Sequence, residues 1–365
     1  MYCGKGKSFL YRVASVHPGV DDRFFPLGAY FMLLSVVIPL FNEEEAFPLM
    51  LKRLQATLNQ LEEGIRQEIV FINDGSSDAT GRLLALAAQT DSRIKAVHFS
   101  RNFGHQAAVT AGLDIASGDA VVVMDADLQD PPELLPQMIE KFREGYDIVS
   151  PQRISREGET WFKKVTAQAF YSLMKTGVDK RLTSQVGDFR LYSRAAVLGM
   201  RGLRERHRFL RGMVAWLGLK EALVPFQRSA RVAGETKYPL WKMVRFAWTA
   251  ITSSSALPLR ITSFAGLLSM LGGFIYLGYI LYVTFVTQTT VPGWSSLASL
   301  QVLFNGTILL AIGLVGDYLA RVYEEAKDRP LYVVDRTSNL AELPQVEGAL
   351  WLPERKTEME MRRAA

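Results

Sequence analysis

Residues 120–142 read AVVVMDADLQDPPELLPQMIEKF, an apolar run, an acidic turn and an amphipathic helix in direct succession. The valine-rich run at 120–124 is typical of a strand that is buried on both faces. Residues 132–144 have the apolar spacing of a helix that packs on a sheet. In a parallel sheet, ligands bind beyond the carboxyl ends of the strands. The turn at residues 125–130 is therefore where a binding site is expected.

The same alternation recurs on both sides of this stretch. Further β-rich runs lie at residues 33–38, 68–72, 94–99 and 147–150, and helical patterns lie at residues 43–61, 78–89 and 105–116. Short strands separated by helices predict an α/β fold with a mostly parallel sheet and helices on both faces. A dinucleotide-binding fold is disfavoured, because no GxGxxG motif follows any of the strands.

Polar side chains follow four of the predicted strands. The segments are PLFNEE (39–44), NDGSSD (73–78), SRNFGH (100–105) and DADLQD (125–130). Each composition is common in loops, but four in succession predict one polar rim. Asp125 and Asp127 can both point at one hard cation, and Gln129 adds a neutral carbonyl. This pattern predicts a Mg²⁺ or Mn²⁺ site that is completed by phosphate oxygens of a substrate.

The composition limits the other classes of function. The balance of 42 Lys and Arg against 37 Asp and Glu gives a net charge of only +5, which does not indicate a nucleic-acid partner. The single cysteine, Cys3, excludes an intramolecular disulfide framework and a cysteine-based zinc cluster. The 4 histidines never form a close pair, which disfavours a histidine-rich metal site.

Charge is unevenly distributed, since residues 261–316 contain no Asp, Glu, Lys or Arg. Two apolar runs, 261–286 and 297–316, are long enough to cross a hydrocarbon core of about 30 Å. They predict a transmembrane hairpin; two core helices of a soluble protein are the alternative. Basic residues flank the hairpin and the linker between its helices has none, so we expect the α/β domain and both termini in the cytoplasm. Residues 239–257 resemble an interfacial amphipathic helix, although a surface helix of the domain has the same pattern.

These patterns divide the chain into five parts. They are a mobile N-terminal tail (1–32), the α/β domain (33–235), an interfacial helix region (236–258), the transmembrane hairpin (259–317) and a C-terminal helix, strand and tail (318–365). On this division, a chain that ends near residue 235 is expected to retain weak nucleotide binding but to lose transfer to long-chain acceptors.

Six motifs together carry a family resemblance: VVIPLFNEEE, INDGSSDAT, RNFGHQAAVTAGLDIASGD, MDADLQDPPE, GDFRLYSR and GETKYP. Over residues 33–335 the chain resembles inverting family 2 glycosyltransferases of the GT-A fold. Within that family it is similar to polyprenyl-phosphate sugar transferases, such as bactoprenol glucosyltransferases and, more distantly, dolichol-phosphate mannose synthases. Processive synthesis is disfavoured, because HRFLRG (207–212) stands where processive members carry QxxRW.

The resemblance implies roles for the residues of the donor half. The loop with Pro39, Asn42 and Glu43 is expected to hold the nucleoside, and Asp74 to contact the base or the ribose. The metal and diphosphate site is expected to comprise Asp125, Ala126, Asp127 and Gln129. Asn102 and Gly104 either approach the donor or form an ordinary helix start. Lys237 lies in a loop (GETKYP) that either closes over the diphosphate or only carries charge beside the membrane. His105 is expected to pack or to donate a hydrogen bond rather than to act as a general base.

The acceptor half follows the fifth strand. The resemblance implies that Arg153, Lys163 and Lys164 clamp the lipid phosphate, although such a cluster can also simply attract anionic lipid. Asp188 occupies the place of the catalytic aspartate. A phosphomonoester has a second pKa of about 6 and is already largely ionised at neutral pH, so it has less need of a base. Asp188 can therefore serve either as a base or as an orienting group.

The function expected from the resemblance is transfer of glucose from UDP-glucose to a polyprenyl phosphate, with inversion. A GDP-mannose enzyme and one that uses a UDP-linked modified arabinose are the close alternatives. A catalytically silent nucleotide-sugar sensor and a membrane scaffold are alternatives from another class.

A homo-oligomer is also expected. The short β-rich segment at residues 329–334 needs a sheet edge to pair with, and several glycines of the first apolar run permit close helix contacts. The alternative is a monomer in which the strand docks on its own domain.

Overall fold

The computed structural model describes residues 32–154, 181, 183, 185–226, 252, 257–282, 285–286, 293–340 and 348–352. The strands are β1 (Met32–Leu40), β2 (Ile65–Asn73), β3 (Ile94–Phe99), β4 (Ala120–Val123), β5 (Ile148–Arg153), β6 (Arg190–Ser193), β7 (Glu221–Phe226), β8 (Tyr332–Ser338) and β9 (Ala349–Trp351). The helices are α1 (Ala46–Leu58), α2 (Thr80–Thr90), α3 (His105–Ile115), α4 (Leu135–Arg143), α5 (Arg194–Gly202), α6 (Leu210–Leu217), α7 (Leu257–Tyr282) and α8 (Trp294–Ala326).

The nine strands form one sheet in the order β7-β5-β6-β4-β1-β2-β3-β8-β9. The central four strands pair in parallel, while β6 is antiparallel to both of its neighbours and β8 is antiparallel to β3. The prediction of a mostly parallel sheet is therefore confirmed. Because β5 and β7 run parallel to each other and antiparallel to β6, the carboxyl ends of β1 to β5 and β7 meet at one edge, together with the start of β6.

Helices cover both faces of the sheet, as predicted. On one face α1, α2 and α4 pack against the strands, and on the other face α3, α5 and α6 do so. Helix α3 packs closely on β1 at Gly112, where an added Cβ would lie 2.1 Å from Val37 Cγ1. This glycine lets α3 approach the central strand, which brings the start of α3 to the rim.

Three strands were absent from the predicted set, namely β6, β7 and β9. They are short, and β6 begins with the charged Arg190 while β7 contains Pro225. Neither feature is typical of a buried strand, so tertiary pairing and not local propensity makes them strands.

The C-terminal strand β8 docks on its own domain, against β3. Tyr332 is fully buried; its ring stacks on Phe99 with 5.1 Å between centroids, and its hydroxyl donates to Asp114 at 2.9 Å. The expectation that this strand contributes to contacts between copies is therefore wrong, because its backbone groups already pair within the chain. The strand was one of the two arguments for a homo-oligomer, and that argument no longer holds.

Two described helices have the length and apolar composition that can span a membrane, over Pro258–Tyr279 and Phe304–Ala326. The predicted spans at 261–286 and 297–316 correspond to them, with shifted ends. The second differs most, because α8 continues without a break through Asp317 to Ala326, where a separate helix was expected. An Asp317–Arg321 pair at 3.5 Å lies on this continuation. Nearly all of the predicted interfacial helix lies outside the described residues.

Candidate active site

The loops after β1 and β2 hold each other through backbone and side-chain bonds. Asn42 has a left-handed backbone (φ 54°), and its amide oxygen accepts the Ser77 N–H at 2.9 Å. Its own N–H donates to Ser76 Oγ at 3.0 Å, and the Glu43 N–H donates to Thr80 Oγ1 at 2.9 Å. Asn42 thus ties two loops of the expected nucleoside site together, while Pro39 is buried in β1.

Asp74 extends this network to the loop after β3. Its carboxylate accepts the N–H of Phe103 at 2.7 Å and that of Gly104 at 2.9 Å, and Asp74 is only 2% exposed. Burial raises the pKa of Asp74 despite these bonds. Sequence reasoning expected it to contact a base or a ribose, but here its carboxylate positions the residue 103–104 backbone.

The same loop packs tightly against the loop after β2. Gly75 (φ 67°) leaves no room for a side chain, since an added Cβ would lie 2.3 Å from the Arg101 carbonyl carbon. Asn102 is exposed beside this contact, and Gly104 (φ 99°) is the residue that precedes α3. The segment is a helix start, and its place at the rim leaves an approach to the donor as a prediction.

The acidic turn after β4 is held by its own groups. The Asp125 N–H donates to Asp130 Oδ2 at 3.2 Å, and the Gln129 N–H donates to Asp127 Oδ1 at 3.1 Å. Burial and the nearby Asp125 carboxylate raise the pKa of Asp130 to about 7. Ala126 and Gln129 are buried, at 3% and 5% exposure. Asp130 was not singled out from the sequence, where it reads as an ordinary loop residue.

The fit of this turn to a divalent cation is partial. Within the described ranges, no three His, Cys, Asp or Glu side chains are grouped so that they alone could hold a metal ion. Asp125 and Asp127 supply two carboxylates, which suits Mg²⁺ or Mn²⁺ when a substrate diphosphate supplies further oxygens. The backbone N–H of Gln129 donates to Asp127, and the residue is buried.

Asp188 lies at the same rim, immediately before β6. Arg211 Nε of α6 donates to Asp188 Oδ1 at 2.9 Å, and His105 Nε2 of α3 lies 3.7 Å from Asp188 Oδ2. The same His105 nitrogen is 3.7 Å from Asp125 Oδ1. His105 therefore stands between the acidic turn and Asp188, which is a more central place than sequence reasoning gave it.

The charges of this cluster set its protonation. Burial opposes ionisation of Asp188, but the His105 imidazole 3.7 Å away and the Arg211 guanidinium hold its pKa well below the usual range. Burial lowers the pKa of His105, but the nearby carboxylates of Asp188 and Asp125 outweigh this effect, so that the pKa of His105 is raised. Burial, together with the nearby carboxylates of Asp188 and Asp127, raises the pKa of Asp125 despite the charge of His105.

Two arginines lie beside this cluster with nitrogens that lack a partner. Arg153 Nε is buried with no hydrogen bond, and its Nη2 lies 3.1 Å from the point where a Cβ of Gly187 would be. Arg190 of β6 is 3% exposed, and its Nε and Nη1 also lack partners. A buried donor without a partner is costly, so this corner of the site suits an anion. Lys163, Lys164 and Lys237 lie outside the described residues.

Arg211 is the functional residue that sequence reasoning missed. It lies in HRFLRG, a segment that was used only to disfavour processive synthesis. Its spacing from Asp188 along the chain carries no signal, because the contact arises only when α6 packs beside the start of β6.

Comparisons with known proteins add to this geometry. The model of the family described as Glycosyl transferase family 2 matches residues 35–199. An uncharacterized glycosyltransferase (YkcC) of Bacillus subtilis is 46% identical over 83% of this chain and 93% of its own length. A prophage bactoprenol glucosyl transferase homolog of Escherichia coli is 40% identical over 84% of this chain and 99% of its own length. Glucosyl-3-phosphoglycerate synthase of Mycobacterium tuberculosis, solved with Mn²⁺, UDP-glucose and phosphoglyceric acid, is 18% identical over 60% of this chain and 78% of its own, with a TM-score of 0.40.

Proposed function

The chain belongs to glycosyl transferase family 2 and is a glycosyltransferase, and on that premise we propose that it transfers glucose from UDP-glucose to a polyprenyl phosphate with inversion. The observation that carries the proposal is the similarity, along most of the chain, to relatives that are named bactoprenol glucosyl transferase. The two apolar helices support a lipid acceptor, because they would keep the domain beside the membrane that holds the lipid.

The reaction needs one bond to form as another breaks. An oxygen of the acceptor phosphate bonds to the anomeric carbon, while the bond from that carbon to UDP breaks and UDP leaves with the electron pair. Attack from the face opposite to UDP inverts the configuration. A phosphomonoester is already largely ionised at neutral pH, because its second pKa is about 6. The acceptor therefore needs orientation more than it needs a base.

The charged residues of the rim have different roles in this reaction. With its low pKa, Asp188 stays ionised and is a weak base, which favours an orienting role over a proton-accepting one. Arg211 and His105 fix its position. The unpartnered Nε of Arg153 and the unpartnered Nε and Nη1 of Arg190 suit the acceptor phosphate.

A divalent cation, Mg²⁺ or Mn²⁺, would be held by Asp125 and Asp127 and would neutralise charge on the departing diphosphate. Asp130 and Gln129 shape the turn that presents these two carboxylates.

We further propose that the protein is integral to the membrane, with two spans and with the domain and both termini in the cytoplasm. Basic residues flank the apolar helices and are absent from the linker between them, which supports this orientation. A homo-oligomer remains a proposal supported by the helices alone. Added Cβ atoms at Gly266, Gly272 and Gly278 would meet nothing within 4 Å, so a second copy could approach α7 closely.

The test uses the full-length chain in vesicles that contain undecaprenyl phosphate. Labelled UDP-glucose, GDP-mannose and a UDP-linked arabinose derivative are supplied in parallel, with and without a chelator. We expect label from UDP-glucose in a lipid product with inverted configuration, and none after chelation. Preference for another donor would overturn the choice of sugar. Binding of UDP-glucose without any transfer would favour the silent sensor.

The oligomeric state is tested separately by measuring the mass of the protein in mild detergent. A strict monomer would refute the homo-oligomer.

A further inference from the structure

The loop of residues 203–209, between α5 and α6, lies directly before the residue that holds Asp188. Arg211 is the second residue of α6, and its Nε donates to Asp188 Oδ1 at 2.9 Å. The position of Arg211 thus depends on the conformation of this loop, because the loop sets the position of the first turn of α6.

Both ends of the loop are anchored on α3. Arg204 donates from both terminal nitrogens to the Asp114 carboxylate, at 2.9 and 3.0 Å, and the Asp114 side chain is 1% exposed. At the other end, the Leu210 N–H donates to Gln106 Oε1 at 3.1 Å. Gln106 is the neighbour of His105, so this anchor lies on the same helix turn as the site.

The middle of the loop is held from the C-terminal end of α8. Glu325 Oε1 accepts the Arg206 backbone N–H at 2.7 Å, and His207 Nε2 lies 3.4 Å from Glu324 Oε2. These contacts are at the surface and contribute little to the free energy of unfolding. They favour the observed conformation of residues 205–209, however, because the Arg206 backbone N–H is bound from α8.

We propose that the end of α8 positions Arg211 against Asp188 through the loop of residues 203–209, with Glu325 as the positioning residue. The inference rests on the proposed function, since α8 is one of the two apolar helices and Asp188 lies at the proposed transfer site. It links the seating of the helix hairpin to the geometry of the reaction, so that a catalytic domain displaced from α8 turns over slowly.

The test compares variants of the full-length chain in vesicles with undecaprenyl phosphate. Glu325→Ala removes the acceptor of the Arg206 N–H, Glu325→Gln keeps an acceptor oxygen, and Glu205→Ala removes an exposed carboxylate of the same loop. We expect Glu325→Ala to lower kcat by about 5- to 20-fold with little change in the KM for the donor, because a small misplacement near the reacting groups is costly. Glu325→Gln should restore most of kcat, and Glu205→Ala should match the wild type.

A double-mutant cycle separates positioning from general loosening. In an Arg211→Lys background, Glu325→Ala should have little further effect, because the residue on which it acts is already altered. Melting temperatures of all variants should stay within a few degrees of the wild type. Full activity of Glu325→Ala, or effects of the two substitutions that simply multiply, would overturn the inference.

Hydrogen exchange gives a readout that does not depend on turnover. In Glu325→Ala, the amides of residues 206–211 should exchange faster than in the wild type and in Glu325→Gln. If the wild type transfers no sugar at all, the proposed function fails and this exchange experiment still decides the inference. Unchanged exchange over residues 206–211 in Glu325→Ala would overturn it.

Discussion

At the scale of single residues, the charges around Asp188 decide what its carboxylate can do. Arg211 and His105 both favour the ionised form, so the pKa of Asp188 lies well below its usual range. A carboxylate of that kind accepts a proton poorly and is well suited to orient a phosphate or a sugar hydroxyl through its fixed partners. The sequence left the basic and orienting roles open, and the contact with Arg211 favours the second.

A first prediction concerns Asp127. Asp127→Asn removes one of the two carboxylates proposed to hold the cation, so turnover should fall by about 100-fold or more. The fold should be retained because Asp127 is half-exposed. Initial rates over a Mg²⁺ and Mn²⁺ titration check this, with Glu140→Gln on the exposed side of α4 as the control. Near-normal, metal-dependent turnover of Asp127→Asn would contradict the assignment.

A second prediction concerns His98, a buried residue of β3 that lies opposite Asn73 of β2. Its Nδ1 lies 3.0 Å from Asn73 Nδ2, which can only donate, so the ring accepts there and is neutral. Burial, followed by the charge of Arg336, lowers the pKa of His98 from 6.5 to about 4. Between these two pH values the unfolded chain binds a proton that the folded chain does not. Stability is therefore lost as the pH falls from 6.5 toward about 4.

The change that tests this is His98→Gln, which keeps an acceptor for Asn73 and removes the titration. From pH 7 to pH 5 the wild type should lose about 1–2 kcal/mol more than the variant. Thermal unfolding at the two pH values, followed by tryptophan fluorescence, measures the difference. An equal loss in both proteins would show that His98 does not titrate as described.

At the scale of elements, the approach of α3 to β1 is what brings His105 and Gln106 to the rim. The helix can lie this close because Gly112 faces Val37. Sequence patterns predicted that α3 is a helix, but the periodicity of its apolar residues does not predict how close the helix lies to the sheet.

A third prediction tests this packing. Gly112→Ala should lower the free energy of unfolding by about 1–3 kcal/mol, because its Cβ would overlap Val37 Cγ1. Gly202→Ala is the matched control, since an added Cβ there meets nothing within 4 Å. Adding Val37→Ala to Gly112→Ala should recover part of the loss. Melting temperatures check all three, and equal stability of Gly112→Ala and Gly202→Ala would contradict the close approach.

At the scale of the whole molecule, the chain returns to its own catalytic domain after the apolar helices. Strand β8 lies between β3 and β9, and Tyr332 and Val334 are buried in the core. Two strands of the sheet therefore lie beyond the predicted domain end near residue 235, which argues against a stable fold for a chain that is cut there. Strands β8 and β9 would be missing, and with them the Tyr332 hydroxyl that donates to Asp114.

A fourth prediction follows from this return. A chain that ends at residue 235 should be unstable, because it loses the burial of Tyr332 and Val334, worth about 3–6 kcal/mol together. A chain in which residues 236–328 are replaced by a flexible linker of about 20 residues should fold, since β8 can still reach β3. Melting temperatures and UDP binding compare the two. Equal, cooperative melting of both chains would contradict the role given to β8.

The sequence by itself determined the α/β class, the strands that carry the rim, the acidic turn at residues 125–130 and the apolar helices. These features depend on local periodicity and on the rule that ligands gather beyond the carboxyl ends of parallel strands, and both can be read along a chain. The family resemblance supplied the choice of chemistry.

Only the tertiary structure decided which of these polar residues are bonded to neighbouring loops and which meet from distant parts of the chain. Asn42 and Asp74 are bound to neighbouring loops, and Arg211 meets Asp188 from a helix that no spacing rule connects to it. Strand β8 finds its partner in β3 of the same chain. The physical reason is the same in each case: a hydrogen bond between segments far apart in sequence depends on packing of the intervening elements, which local patterns do not contain.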